Sequence, residues 1–351
     1  MEKKSLLKSA IITLFIVVVI VGLWEIYLRS SGKKISYDDG PPLWSDKREM
    51  VYESSNEAVV FIGSSRIKYD LDIPTWNSIT NIHAVQLAIE GSCPRPILED
   101  LANDQNFKGK LIVDVTEGLF FSNAPHNAEN PNKNIKYFHE QTPAQRASFM
   151  INKPLESLFV FLDKDHLSLN AQLDELELKS RPGVFMMPIF PMGFDRCTFD
   201  RQMFMTPAFL ADTVQRNKVK GIWQFFASMN KKAPPMPKSE LDAIFKSVKI
   251  ATDKIKARGG QVLFVRTPSS GPYLQGENIV FPREKYWDRL LAETQCTGIH
   301  FMDYPAIAHF DCPEFSHLQL KDAVTFTKEF IKILNTIDGW KITSVAKEQT
   351  N

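Results

Sequence analysis

The stretch Ala58-Val59-Val60-Phe61-Ile62-Gly63-Ser64-Ser65-Arg66 runs five apolar residues into a glycine and two hydroxyls. A continuous apolar run of that length suits a strand buried on both faces, as in a parallel sheet covered by helices. Four more short apolar runs repeat the signal: Ile82–Leu87 (IHAVQL), Leu111–Val115 (LIVDV), Gln261–Val265 (QVLFV) and Ile299–Met302 (IHFM). Between them, Pro96–Asn103, Ser239–Arg258 and Arg283–Thr294 carry apolar residues at spacings of three and four, and a last helix is expected from about Leu320 to Ile337. Ser239-Glu240-Leu241-Asp242 supplies an N-cap and an acidic first turn, and Gly259-Gly260 a stop. Strand alternating with helix predicts an α/β fold built on a doubly wound parallel sheet.

Outward from this core the chain changes character. Lys3, Lys4 and Lys8 precede an uncharged stretch from Ser9 to Trp24, about 24 Å of helix. Lys8 and Glu25 can reach outward, and Ile26, Tyr27 and Leu28 extend the apolar face, so a membrane span over 9–28 is expected. A cleaved signal peptide also begins with basic and apolar residues, but EIYLRSSGKK offers no small-residue cleavage pattern, and the uncleaved anchor over 1–29 is favoured. Arg29, Lys33 and Lys34 balance the three lysines before the span, so charge does not orient it. A single anchor followed by a long chain without a second span most often exports the rest. That implies a single-pass protein of a cell inner membrane with a periplasmic or extracellular domain.

Residues 30–52, polar and proline-bearing, read as a tether. The α/β domain is expected over 53–340, with a large, mostly helical insertion at about 121–237 and a flexible tail over 341–351. Apolar side chains of the insertion are mainly packing, and the sharper alternative is a lid or substrate wall. Cys93, Cys197, Cys296 and Cys312 fit either two disulfides or four free buried thiols, and their spacing matches no zinc site. The whole chain of 351 residues is 44% hydrophobic and 24% charged, with a net charge of +1, which is globular and gives no electrostatic ground for nucleic acid as a partner.

Sheets of this kind bind ligands outside the carboxyl ends of their strands. Gly63 permits a tight turn there, and the serine hydroxyls that follow face the crevice. Near the other end, Asp303 and then Asp311-Cys312-Pro313-Glu314-Phe315-Ser316-His317-Leu318 lead into the final helix. A carboxylate three residues before a histidine orients the imidazole, which then serves as general base for a serine hydroxyl, a poor nucleophile unaided. Ser, then Asp or Glu, then His is one of the orders in which such triads occur. A serine-rich turn alone is usually just a turn, and a lone loop histidine usually structural; together they carry the signal. The chain has no P-loop, no G-x-G-x-x-G and no H-E-x-x-H, so nothing asks for a nucleotide, a cofactor or a metal.

These blocks resemble the SGNH (GDSL-like) hydrolase superfamily, particularly its membrane-anchored cell-envelope members with a G-S-S-R first block, over roughly 58–114 and 261–334. The resemblance implies a flavodoxin-like three-layer sandwich with Ser65 as nucleophile, Ser64 standing where Asp is usual. It makes Glu314-Phe315-Ser316-His317 the closing D-x-x-H block, with Glu for Asp. Ser65 and Gly91 become oxyanion donors through their N–H groups. The third block, G-x-N-D, falls on Val115-Thr116-Glu117-Gly118, with Glu117 where an Asn donor is expected. An ionised Glu cannot donate, so it would have to be protonated, or Ser92, Thr116 or a backbone amide would take over. Arg66 either binds an anionic substrate group or pairs with Glu117, and Arg266 at the same rim does either job.

The resemblance implies a membrane-anchored serine esterase or O-acyltransferase acting on an acylated glycan or other envelope ester, sometimes beside a polytopic membrane acyltransferase. The missing donor motivates the alternative, a weak or inactive relative that binds glycan or a membrane partner.

Overall fold

In a computed structural model the described residues are 2–54, 57–174, 176, 183, 187–230 and 236–342. Most of the tail expected over 341–351 therefore lies outside the described residues. The chain divides into two compact units, Met1–Asp38 with Thr142–Ile189, and Asp39–Gln141 with Phe190–Asn351.

The larger unit is built on strands β1 (Ala58–Ile62), β2 (His83–Gln86) and β3 (Lys110–Asp114), a short hairpin β4 (Arg196–Cys197) and β5 (Met203–Phe204), then β6 (Gln261–Arg266) and β7 (Thr297–His300). The main sheet runs in the order β2-β1-β3-β6-β7, every pair parallel. Strand side chains alternate between two buried faces. Val60, Ile62, Leu111, Val113, Val262 and Phe264 join one core with the helices Arg95–Asn103, Lys238–Ala257 and Trp287–Thr294. Val59, Phe61, Ile112, Leu263 and Val265 join another with Ser65–Asp70, Ile73–Thr80 and Leu320–Leu334. Apolar residues at consecutive positions are thus both-faced strands, and the expected α/β sheet with flanking helices is present. The chain leaves β1 on one face and β3 on the other, so their carboxyl ends flank a crevice where the strand order reverses.

Several expectations shift. Strand β7 ends at His300, two residues before the end of the expected run, because Phe301–Asp303 forms a 3₁₀ turn in which Met302 N–H donates to His300 Nδ1 at 3.3 Å. The helix expected from Ser239 begins at Lys238 with Pro237 as its N-cap, so Ser239 caps nothing. The helix expected from Arg283 begins at Trp287, after turns between Pro282 and Tyr286.

The larger correction concerns the tether. Residues Pro41–Glu49 form a helix with both prolines in its first turn, where a missing N–H costs nothing. Trp44 is fully buried in the first core and donates its indole N–H to Leu87 O at 3.0 Å. Arg48, also fully buried, pairs with Asp100 and Asp104 at 2.9 Å each. This segment is part of the folded unit.

Residues 121–237 are divided between the two units. The helix His126–Glu140 packs on Pro41–Glu49 in the larger unit, with Phe138 edge-on to Trp44. After residue 190 the hairpin and the helix Thr213–Asn230 bring Phe194, Met203, Met205, Phe209 and Val219 into a third apolar cluster with Tyr69. All four cysteines are buried thiols in this structure, the second of the two expected alternatives.

The smaller unit contains the N-terminal helix Glu2–Ser30, of which Leu6–Ser30 is long and apolar enough to cross a membrane. It also contains the helix Pro143–Leu158, which opens with a capping box between Thr142 and Gln145. Glu25 accepts from Val160 N–H at 3.0 Å and Phe161 N–H at 3.1 Å, joining the two segments.

Candidate active site

Ser65 is the first residue of the helix that follows β1, placed at the crevice by the turn at Gly63. A Cβ on Gly63 would lie 2.6 Å from Asp114 Cβ and 2.8 Å from Ile67 Cγ2, so only glycine fits between β1 and β3 here. Two more segments meet this turn. Ile89 N–H donates to Gly63 O at 3.2 Å, extending the β1–β2 pairing toward Gly91. From the β3 side, Thr116 Oγ1 lies 2.7 Å from Ser64 Oγ and donates to Asp114 Oδ2 at 3.1 Å.

The loop before the last helix completes the constellation. His317 Nε2 lies 2.8 Å from Ser65 Oγ, and His317 Nδ1 lies 2.9 Å from Glu314 Oε1. A carboxylate beside Nδ1 keeps the proton there, leaving Nε2 to accept from the serine hydroxyl. The Glu314 side chain folds back on its own loop, where Oε1 also accepts from His317 N–H at 2.6 Å and Ser316 N–H at 3.3 Å. Its second oxygen, Oε2, accepts from Trp223 Nε1. Fully buried, this carboxylate therefore meets N–H donors on both sides. The loop needs an unusual backbone for this: Phe315 has φ of 83°, a left-handed conformation rare for an aromatic residue. Ser270 N–H holds it by donating to Phe315 O at 2.9 Å.

One short helix secures both partners. Ser65 opens Ser65–Asp70, and at its other end Asp70 Oδ1 accepts from Leu318 N–H at 2.9 Å, fixing the residue after His317. Burial pushes the Asp70 carboxyl well above its usual range. Tyr69, four residues after Ser65, packs tilted against the imidazole, 4.4 Å between ring centroids at 37°, and Phe194 and Trp223 approach it at 5.7 and 5.8 Å.

The remaining sequence candidates divide. Ser64 and Thr116 bond to each other, both buried, and Ser92 donates to Glu90 O at 3.0 Å. Gly91 has a φ of +57°, which favours glycine, and a Cβ there would meet open space. Its N–H has no acceptor among the described residues.

Arg66 does not pair with Glu117. It is almost fully buried, bonds Glu277 through Nη2, and donates to Ser316 Oγ through Nε at 3.3 Å. Of the two roles open to Arg266, anion binding or pairing with Glu117, the structure shows the pairing, with Nε 3.2 Å from Glu117 Oε1 and Nη2 2.6 Å from Glu277 Oε2. Two arginines and two glutamates thus form a buried, charge-balanced group beside the Ser65–His317–Glu314 cluster. Burial raises the Glu277 carboxyl, but Arg266 and Arg66 outweigh it and hold it below its usual value. Two atoms of the group remain without partners, Arg66 Nη1 and Glu117 Oε2. Arg266 has every nitrogen engaged, its Nη1 by Thr267 O and Ser269 Oγ, which argues for a structural role.

Sequence reasoning missed Trp223, Tyr69, Glu277 and Asp70. Tyr69 and Asp70 were within reach, since the helix that Ser65 opens carries its fourth and fifth neighbours back toward the same loop. Glu277 sits in a helix that follows Arg266, and Trp223 lies in a segment with no pattern linking it to Glu314. Neither protein-family models nor curated proteins give any match to this chain.

Proposed function

We propose that the protein is a membrane-anchored serine esterase or O-acyltransferase acting on acyl esters of a cell-envelope glycan. The observation that carries this reading is the Ser65–His317–Glu314 relay, at 2.8 and 2.9 Å, at the carboxyl edge of the sheet. The resemblance of its blocks to SGNH hydrolases supports the chemistry, and the apolar N-terminal helix supports an anchor, with the α/β unit on the outer face of an inner membrane.

In the proposed reaction Ser65 Oγ attacks the acyl carbonyl while its proton passes to His317 Nε2. Glu314 holds the imidazole and stabilises it as it becomes charged. The Ser65 and Gly91 N–H groups receive the oxyanion. Collapse breaks the ester bond, and His317 returns its proton to the departing alkoxide. Water then releases the acyl group in a hydrolase, and a sugar hydroxyl accepts it in a transferase; a polytopic acyltransferase beside it would supply or receive acyl groups.

A second reading, a weak or inactive relative that binds glycan or a membrane partner, is favoured by Glu117: its carboxylate faces Arg266 where an amide donor would serve the oxyanion. A serine-reactive fluorophosphonate probe separates the two. Labelling of the intact protein, lost in Ser65→Ala and His317→Ala, is expected. Absence of labelling in protein with native circular dichroism rejects the catalytic reading.

A further inference from the structure

The helix Pro143–Leu158 has no buried residue, yet its sequence is amphipathic. At 100° per residue, Ala147, Met150, Ile151, Pro154, Leu155 and Leu158 share one face about 140° wide. Arg146, Phe149, Asn152, Lys153 and Glu156 occupy the other, where Phe149, Lys153 and Glu156 are half-buried. The apolar face is bare: Met150 is 64% exposed, Ile151 63% and Leu158 61%. A helix with an uncovered apolar face of this size marks an interaction surface.

Its position along the N-terminal helix says what covers it. The carboxyl end of Pro143–Leu158 is pinned to the last turns of Glu2–Ser30. Arg29 Nη2 donates to Leu158 O at 2.7 Å, and Glu25 accepts from the next two backbone N–H groups beyond Phe159. That is where the apolar run of the N-terminal helix stops and where Trp24 stacks on Tyr27, the aromatic pair expected at a membrane boundary. The attachment point therefore lies at the headgroup level of any membrane the N-terminal helix crosses.

We propose that Pro143–Leu158 lies in the membrane–water interface, its apolar face in the lipid and its opposite face turned away from it. The inference rests on the reading of Glu2–Ser30 as a membrane span and adds a second, in-plane contact to it. Amphipathic helices bind at this depth chiefly through burial of the apolar face. Leu158, Leu155 and Ile151, at spacings of three and four, then form one line of contact running away from the span. The bilayer covers a face that no described residue of this unit buries.

The test uses full-length protein reconstituted in mixed phosphatidylcholine and phosphatidylglycerol vesicles. Single cysteines replace Ile151, Leu158, Asn152 or Val18 and carry an environment-sensitive fluorophore; the four native cysteines are buried in the folded protein. Expected are blue-shifted emission and severalfold quenching by spin-labelled lipid at Ile151→Cys, Leu158→Cys and Val18→Cys, with little at Asn152→Cys. Equal access of aqueous iodide to positions 151, 158 and 152, with Val18→Cys still quenched by lipid, overturns the interfacial helix and leaves the span standing. Protection of 151 and 158 from iodide without quenching by lipid also overturns it, because protein then covers the face. An unquenched Val18→Cys rejects the span and with it this proposal.

Discussion

Trp223 donates its indole N–H to Glu314 Oε2, the oxygen that His317 does not use. The Glu314 carboxylate is thus held from two directions, by its own loop and by a helix that precedes it by 91 residues. Neither contact touches the proposed acyl group. Both set the angle at which the imidazole meets Ser65.

Trp223→Phe leaves a buried carboxylate oxygen without a donor, a loss of about 2 kcal/mol in stability. The imidazole then loses part of its restraint, and kcat toward a small activated ester is expected to fall about tenfold with KM unchanged. Urea unfolding and steady-state kinetics on the same preparation measure both. Lowered stability with unaltered kcat would reduce the indole to a packing role.

Because each oxygen of Glu314 faces only donors, Glu314→Gln must aim its NH₂ at one of them. Toward His317 it enforces the wrong tautomer, and toward Trp223 it sets donor against donor. A kcat loss of roughly a thousandfold or more is expected, in the range that misdirecting a triad imidazole produces. Trp223→Phe in the Glu314→Gln background removes the competing donor, so the double variant should be more active than Glu314→Gln alone. Losses that multiply independently would contradict this arrangement.

The five main strands were legible because burial on both faces leaves a continuous apolar run, and the meeting of Ser65, His317 and Glu314 because these residues sit at a strand end and in one short loop. Trp44 and Arg48 were not. Pro41-Pro42 in a polar stretch reads as a break, and the same prolines serve equally well at the start of a helix. Trp223 is illegible for a different reason, since a single indole in an amphipathic helix looks like core and its partner is fixed only by tertiary packing. For Arg66 the sequence leaves two partners open, an anionic substrate group or Glu117, whereas Glu277, from a helix with no marked sequence pattern, reaches between the two arginines.

Glu117→Gln tests the oxyanion question. The glutamine oxygen can still accept from Arg266, while its NH₂ replaces Oε2, the oxygen that now has no partner. Loss of one buried charge from the balanced group should cost about 3 kcal/mol of stability. A donor in place of a repelling carboxylate is nevertheless expected to raise kcat, by about tenfold, within what a single oxyanion donor contributes. Stability and kcat falling together would make Glu117 purely structural.

Among the contributions to stability against pH, two should oppose each other. Burial pushes the Asp114 carboxyl up to about 6, against the pull of Arg66, Arg266 and Thr116. The folded state holds this proton more tightly than the unfolded chain, so its contribution is full below the ordinary value of 3.8 and is lost as pH rises through 6. Burial, reinforced by Arg266 and Arg283, lowers His300 from 6.5 to about 4. Its contribution is full above 6.5 and is lost as pH falls through 4. Each shift corresponds to about 3 kcal/mol, so the two nearly cancel between these limits. Asp114→Asn should therefore steepen the loss of stability toward acid, and His300→Asn, whose side-chain oxygen can still accept from Met302 N–H, should make stability fall as pH rises. Urea midpoints across this range, taken as differences from the unaltered protein, should slope in opposite directions for the two variants. Parallel profiles for all three proteins would show that neither group titrates with folding.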